Sequence, residues 1–205
     1  MYFSHFFQGI LLGLGLILPL GPQNLFVLSQ GMNRGRMVNV ITVVLVASLA
    51  DTVLIALAVG GISLVIFNIP LLKAGIFLGG ILFLSFLAIR SWYKMPNEQS
   101  FEEPKTLPIL RIVGSTLAIS WLNPYALIDA FLTIGSSSTI FSGLPKVFFM
   151  TGCITASWIW FMCLGFLGIS LGNSLLIRKY QGKVSAIIMV LSIAVLIRAF
   201  FHSQQ

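Results

Sequence analysis

Charged residues are scarce in this chain of 205 residues: they make up 8% of it, whereas hydrophobic residues make up 58%. A soluble globular domain carries about 25% charged residues, so this composition excludes a water-soluble protein. Twelve Lys and Arg stand against five Asp and Glu, which gives a net charge of +7. These basic residues are spread thinly between apolar runs and form no dense basic face, which excludes nucleic acid as a partner. Such spacing is typical of loops between membrane spans.

Cysteine and histidine are also rare. Cys153 and Cys163 lie ten residues apart in one apolar segment, which is about 15 Å along a helix, whereas a disulfide needs Cα atoms within about 7 Å. We therefore expect two free thiols that pack as small hydrophobic side chains, and a thiol oxidoreductase is disfavoured. The two histidines, His5 and His202, lie near the ends of the sequence, which argues against a transition-metal site. No metal and no cofactor is predicted.

Long apolar runs fill most of the chain. Six of them lie near or beyond the ~20 residues that span a bilayer. They run from Phe3 to Met32, Val38 to Phe67, Leu71 to Trp92, Ile109 to Ser136, Leu144 to Asn173 and Val184 to Phe200. The runs do not alternate with the two-residue period of barrel strands, so helices are favoured. The sequence predicts an all-α polytopic membrane protein with six transmembrane helices.

The two halves of the chain share a weak internal repeat. Pro22 interrupts the first run and Pro124 the fourth, an offset of 102 residues. Because three is an odd number of spans, the second copy of a three-span repeat is inverted in the membrane relative to the first. Inverted repeats with broken helices at matching positions point to a transporter site. We expect one three-helix repeat over residues 1–93, a charged linker over 94–108 and a second three-helix repeat over 109–205, with helices 1 and 4 broken.

The basic residues predict the orientation of the protein in the membrane. Nine of the twelve Lys and Arg flank the first, third and fifth connections, and three lie on the opposite face. Because positively charged loops stay in the cytoplasm, we expect a cytoplasmic linker and both termini outside.

The first break is rich in residues that do not favour a helix. It reads Leu18-Pro19-Leu20-Gly21-Pro22-Gln23-Asn24. Pro19 and Pro22 leave the carbonyls of Gly15 and Leu18 without hydrogen-bond partners, which is tolerated at membrane depth only inside protein or beside a watery cavity. Gln23 and Asn24 stand at the start of a new half-helix, whose N–H groups and dipole favour a carboxylate. The alternative is a plain kink in which the amides bond between helices.

The second break contains Asn123 directly before Pro124, in the stretch Ser120-Trp-Leu-Asn-Pro. Pro124 frees the carbonyl of Ser120, because proline lacks an N–H group. Asn123 can bond across helices or accept a ligand amine, and both uses stay open.

Asp51 and Asp129 are the only acidic residues within the spans. A charge at the centre of a bilayer costs about 3 kcal/mol on insertion scales, so such carboxylates are functional candidates by default. No Lys, Arg or His lies at mid-span, so either the acids are protonated at rest or an imported positive charge neutralises them. Both alternatives favour a cation or a proton as the ligand. The other interpretation is a structural hydrogen bond within the bundle.

Taken together, these residues resemble the LysE family of amino-acid exporters, and within it the arginine and lysine branch. The resemblance rests on the first break, on Leu49-Ala-Asp-Thr52, and on Ser120-Trp-Leu-Asn-Pro-Tyr125 with Asp129. It implies a carrier in the bacterial inner membrane that exports arginine, with lysine also considered, driven by the proton gradient. The substrate carboxylate would bind near Gln23 and Asn24, and its cationic side chain near Asp51 or Asp129.

Several alternatives remain at this stage. The same fold could export a neutral amino acid or a divalent cation, although neutral exporters tend to carry a Pro-Gly-Pro break. A membrane enzyme would need a nucleophile beside a base, which the sequence does not show, so no enzyme is predicted. A structural protein would tolerate loss of both carboxylates. The sequence does not decide between arginine and lysine, the coupling ion, the role of each acid, or whether the chain forms a homodimer.

Overall fold

The computed structural model describes residues 2–19, 21–32, 37–62, 69–93 and 108–172, together with residues 183, 186–191, 193, 194, 197 and 198. All the regular secondary structure among these residues is helical. The predicted linker, apart from Pro108, and most of the sixth predicted span lie outside the described residues. The described helices therefore test the first five predicted spans.

The first span is broken, as the prolines predict. Helix α1 runs over Tyr2–Ile17 and helix α2 over Pro22–Met32. Their axes are bent by 80°. Proline is favoured at the first position of a helix, where its missing N–H group costs nothing. Pro22 accordingly is the first residue of α2.

The second span is helix α3, Met37–Leu57, which continues into a π-helix, π1, over Ala58–Ile62. Within π1, Gly61 has φ 110°, a backbone conformation that glycine adopts without steric cost. The third predicted span falls on helix α4, Pro70–Trp92, which is 23 residues long. That helix is about 35 Å long at 1.5 Å per residue.

The fourth span is the second broken one. Helix α5 covers Ile109–Trp121 and the short helix α6 covers Pro124–Ile128. A second π-helix, π2, follows over Asp129–Gly135, and a 3₁₀ turn over Ser138–Ile140 ends the span. The two parts of the span are bent by 56°. The break again coincides with a proline, but the π-helix that begins at Asp129 has no counterpart in the sequence pattern.

The fifth span is helix α7, Leu144–Leu171, which has 28 residues. Small residues recur along its buried face at the three- and four-residue spacing of a helix: Gly152, Cys153, Ala156, Ser157, Gly165 and Gly168. By length and apolarity, α7 and the stretch Met37–Gly61 can each cross a membrane, and each broken pair passes the same test as a unit. The prediction of a helical membrane protein is confirmed, whereas the six-helix inverted repeat stays a prediction.

Close packing of backbones holds α7 at the centre of the described helices. A Cβ added at Gly9 of α1 would lie 2.1 Å from the carbonyl oxygen of Phe149, and one added at Gly152 would lie 2.1 Å from that of Phe6. On the other side, a Cβ at Gly31 of α2 would lie 2.7 Å from the carbonyl oxygen of Gly165. Glycine lets these backbones approach, as small residues do between membrane helices generally.

Helix α3 packs against both α7 and α5. On α5, the buried residues Ile112, Thr116 and Ser120 follow one another at four-residue intervals. The broken first span thus packs against the fifth, and the broken fourth span against the second. An exchange of the two halves would interchange these two pairs.

Candidate functional site

A cavity lies where the two breaks face each other. It is partly open to the surroundings. Polar lining residues come from both breaks, from α3 and from α7: Gln23, Asn24, Asp51, Asn123, Tyr125, Asp129 and Ser157. Among the lining residues that the structure describes, none is basic. The five polar residues that the sequence singled out are therefore brought together.

Asp51 is the centre of a hydrogen-bond network in the cavity wall. Gln23 Nε2 of α2 donates to its Oδ1 at 2.9 Å, and Ser157 Oγ of α7 donates to its Oδ2 at 2.9 Å. Gln23 and Ser157 are buried, and Asp51 is half-buried. Both carboxylate oxygens are thus engaged by neutral donors from two other helices. This arrangement suits an ionised carboxylate, because both of its oxygens act as acceptors.

Asn24 bonds to the break itself. Its Nδ2 donates to the carbonyl oxygens of Ile17, at 2.7 Å, and Pro19, at 3.1 Å. Ile17 is the last residue of α1, and the carbonyl of Pro19, in the break, also accepts the backbone N–H of Gly21 at 2.8 Å. The carbonyls that the two prolines were predicted to leave without partners, those of Gly15 and Leu18, are not the ones that Asn24 binds. The side-chain amide of Asn24 therefore stabilises the bend. Asn24 is also one of the residues that line the cavity. Its predicted contact with a substrate carboxylate stays a prediction.

Asn123 caps the half-helix that follows the second break. Its Oδ1 accepts a hydrogen bond of 3.2 Å from the backbone N–H of Tyr125, which is a normal N-cap interaction for asparagine. The sequence left open whether Asn123 bonds across helices or to a ligand amine, and the structure adds this third partner. The cap orients the break so that Tyr125 and Asp129 line the cavity.

Asp129 differs from Asp51 in its contacts. It begins π2, and its backbone N–H bonds to the carbonyl oxygens of Tyr125 and Ala126. Across the described parts of the chain, its carboxylate has no hydrogen-bond or ion-pair partner. It is half-buried and lines the cavity together with Asp51. A single extra residue in a π-turn re-aims the side chains around it, and such turns are frequent at functional sites.

Ser157 was not found from the sequence, and the sequence assigned no hydrogen bond to Thr52 or to Trp158, whose ring face was considered only as a possible wall of a cation site. Ser157 binds Asp51, Thr52 follows Asp51 on α3, and Trp158 Nε1 donates to Thr52 Oγ1 at 3.0 Å. A serine or tryptophan in a long apolar helix carries no pattern that marks it, since the same residues serve as packing. Only the antiparallel placement of α3 and α7 reveals these pairs.

No metal centre is apparent in the part of the chain that the structure describes, because no three His, Cys, Asp or Glu residues come together there. Both cysteines are free thiols, as their spacing predicts. Cys153 lines the cavity and Cys163 is exposed. The polar groups of the cavity are carboxylates, amides and hydroxyls, which bind amine and carboxylate ligands through hydrogen bonds and charge.

Comparison with known proteins shows what the chain is similar to. The family described as LysE type translocator matches residues 14–200. The putative amino-acid transporter YisU of Bacillus subtilis is 41% identical over 161 residues, 78% of this chain and 73% of the relative. The arginine exporter protein ArgO of Escherichia coli, strain K12, is 34% identical over 189 residues, 91% of this chain and 88% of the relative. ArgO of Shigella flexneri matches with the same identity and coverage. No solved structure matches the chain.

Proposed function

The chain belongs to the LysE type translocator family, and from this premise we propose that it exports basic amino acids, arginine first, across the bacterial inner membrane. A translocator moves its substrate without converting it, so the chain is a transporter and not an enzyme. The similarity to the arginine exporters over most of both chains supports arginine as the substrate. The observation that carries the proposal is a cavity with two carboxylates and no basic residue among its described lining.

The cationic side chain of the substrate binds Asp129. Asp51 is already held by two donors, whereas Asp129 has no partner among the described residues. A guanidinium or ammonium group that reaches Asp129 therefore displaces no existing contact. It also neutralises a charge that is costly to leave alone in a low-dielectric site.

The substrate α-carboxylate binds at the start of α2. The first N–H groups of a helix have no partner within the helix, and the helix dipole adds a partial positive charge there. In α2 this end is formed by Pro22, Gln23 and Asn24, of which the last two line the cavity. Its position beside Asp51 and across from the second break allows one amino acid to span both breaks.

Asp51 carries the proton that couples export to the gradient. A proton on one of its oxygens removes an acceptor from Gln23 or Ser157. Those two residues lie on α2 and α7, so protonation of Asp51 alters the contacts among three helices. Two carboxylates in one cavity also repel each other, which favours having one of them neutralised by a proton while the other holds the substrate cation.

A counterflow experiment in proteoliposomes tests this function. Vesicles preloaded with unlabelled arginine are given labelled arginine, lysine or leucine outside, and uptake is followed for the wild type and for Asp129→Asn. We expect exchange of arginine, and of lysine at a comparable or lower rate, with little leucine uptake, and at least a tenfold loss in Asp129→Asn. Thr155→Val serves as the matched control, because Thr155 bonds only to the carbonyl of Thr151 on its own helix. Faster exchange of leucine than of arginine would reassign the chain to neutral amino acids.

Proton coupling is tested with the same vesicles. An imposed pH gradient, with the membrane potential clamped, should drive arginine accumulation by the wild type. Accumulation that follows a sodium gradient and ignores the pH gradient would exclude the proton as the coupling ion.

A further inference from the structure

We propose that Trp158 is a positioning residue that, by hydrogen bonding to Thr52, sets how Asp51 is presented to the cavity; the inference rests on the transport function proposed above. Trp158 does not line the cavity, whereas Asp51 does. It acts through the residue next to Asp51 on α3. This assigns to the indole N–H a role in transport beyond packing.

Two consecutive residues of α7 bond to two consecutive residues of α3. Ser157 Oγ donates to Asp51 Oδ2 at 2.9 Å, and Trp158 Nε1 donates to Thr52 Oγ1 at 3.0 Å. Neighbouring side chains on a helix leave its axis about 100° apart. The two bonds therefore hold α3 from two directions, which restricts both its rotation about its own axis and its sliding along α7.

The hydroxyl of Thr52 is oriented to receive the indole. Its own proton is donated to the carbonyl oxygen of Ser48 at 2.7 Å, one helical turn earlier. A hydroxyl has one donor and two acceptor sites, so with its proton engaged Thr52 faces Trp158 as an acceptor. The indole N–H is a donor only. The pair is therefore complementary without a charge on either side.

Trp160 provides an internal comparison on the same helix. Its ring packs against the buried cluster formed by Val27, Val40, Val43, Val44, Ala47, Ile112, Phe161 and Leu164. Its Nε1 is buried and has no hydrogen-bond partner among the described residues. Replacing either tryptophan by phenylalanine removes an indole N–H and keeps an aromatic ring. Only at Trp158 does the change break a bond.

The test compares Trp158→Phe, Thr52→Val, Thr52→Ser and the control Trp160→Phe in the arginine counterflow assay, at equal membrane abundance. We expect a three- to tenfold loss of exchange per transporter in Trp158→Phe and in Thr52→Val. Thr52→Ser, which keeps the acceptor hydroxyl, should retain most of the wild-type rate, and Trp160→Phe should stay within twofold of it. The double variant Trp158→Phe with Thr52→Val should be no slower than the worse single variant, because both break the same bond.

Equal losses in Trp158→Phe and Trp160→Phe would overturn the proposal, since ring size alone would then explain both. So would a Thr52→Ser variant as impaired as Thr52→Val. A thermal-unfolding double-mutant cycle on the pair 52 and 158 checks the bond without any substrate, with the pair 52 and 160 as reference. If the wild type exchanges no arginine, the proposed function fails, whereas a cycle without coupling between 52 and 158 removes this inference alone.

Discussion

Gln23 and Asp51 are joined by a hydrogen bond of 2.9 Å that connects the first broken span to the second span. Gln23 is the second residue of α2, so the bond exists only because the chain turns by 80° just before it. A continuous first helix would carry Gln23 along a different line, away from the second break. The break is therefore the feature that brings an amide from one span to a carboxylate of the next, inside the bundle.

Asp51→Asn and Asp129→Asn should each abolish arginine export. Asparagine has nearly the shape of aspartate but no charge, so the first variant loses proton coupling and the second loses the partner of the substrate cation. Removing a charge from within a membrane also lowers an insertion cost of about 3 kcal/mol, so both variants should insert normally. Export is measured by efflux from loaded cells, with membrane abundance measured by immunoblot. Wild-type efflux by both variants at normal abundance would leave the two-acid site without support.

The positions of both breaks could be predicted from the sequence because the cause is local. Pro22 and Pro124 have no N–H group to donate and clash with the preceding turn, whatever surrounds them. The π-helix that begins at Asp129 has no such local cause. An extra residue in one turn is stabilised by the neighbours it packs against, here π1, and composition does not reveal those.

The same limit applies to the glycine pairs. Gly9 with Gly13, Gly75 with Gly79 and Gly168 with Gly172 share one spacing, and the sequence does not distinguish them. In the structure, the first and third pairs lie against the backbone of a neighbouring helix, whereas a Cβ at Gly75 or Gly79 would meet nothing within 4 Å among the described residues. Which neighbour a helix meets is a property of the whole fold.

Gly9→Ala should destabilise the protein strongly, and Gly15→Ala on the same helix should not. The new Cβ at position 9 would lie 2.1 Å from a backbone oxygen of α7, which cannot move aside as a side chain can. Overpacking of this kind costs about 1–3 kcal/mol or more. At Gly15 a Cβ meets none of the described residues within 4 Å, and alanine favours the helix. The midpoint temperature in detergent measures both, and equal midpoints for the two variants would contradict the close α1–α7 contact.

The site could be predicted only as a set of polar residues. Asp51, Asp129 and the amides of the first break stood out because polar groups are costly in an apolar span. Which of the two acids binds the substrate and which carries the proton could not be predicted, since this depends on which carboxylate accepts hydrogen bonds from neighbouring helices. Ser157 supplies one of those donors from a helix 106 residues away in the chain. Nothing in the sequence around Ser157 separates it from a packing serine.

The termini should lie outside and the linker over residues 94–108 should lie in the cytoplasm. Nine of the twelve basic residues then lie on the cytoplasmic side, where loops between membrane spans carry an excess of Lys and Arg. Single cysteines introduced as Ser4→Cys and Gln99→Cys, in a background with Cys153 and Cys163 replaced by alanine, are treated with an impermeant thiol reagent. In intact cells only the first should react, and permeabilised cells should label both. Labelling of Gln99→Cys alone in intact cells would reverse the orientation.

Citrulline should be exported poorly compared with arginine, although the two have nearly the same shape. The guanidinium of arginine can pair with Asp129, whereas the urea group of citrulline is uncharged and leaves the carboxylate with its desolvation cost. Removing one member of a buried ion pair typically costs about 3–5 kcal/mol. Even a third of that, about 1.4 kcal/mol, is tenfold in affinity.

The measurement is efflux of each labelled compound from proteoliposomes preloaded to the same internal concentration. In wild-type vesicles we expect arginine efflux at least tenfold faster than citrulline efflux. In Asp129→Asn arginine efflux should fall to the level of citrulline efflux or below it, because arginine loses its charged partner and citrulline has none to lose. Equal rates in the wild type would show that Asp51 and Asp129 do not distinguish a charged from an uncharged substrate side chain. The cavity would then be that of a neutral amino-acid exporter.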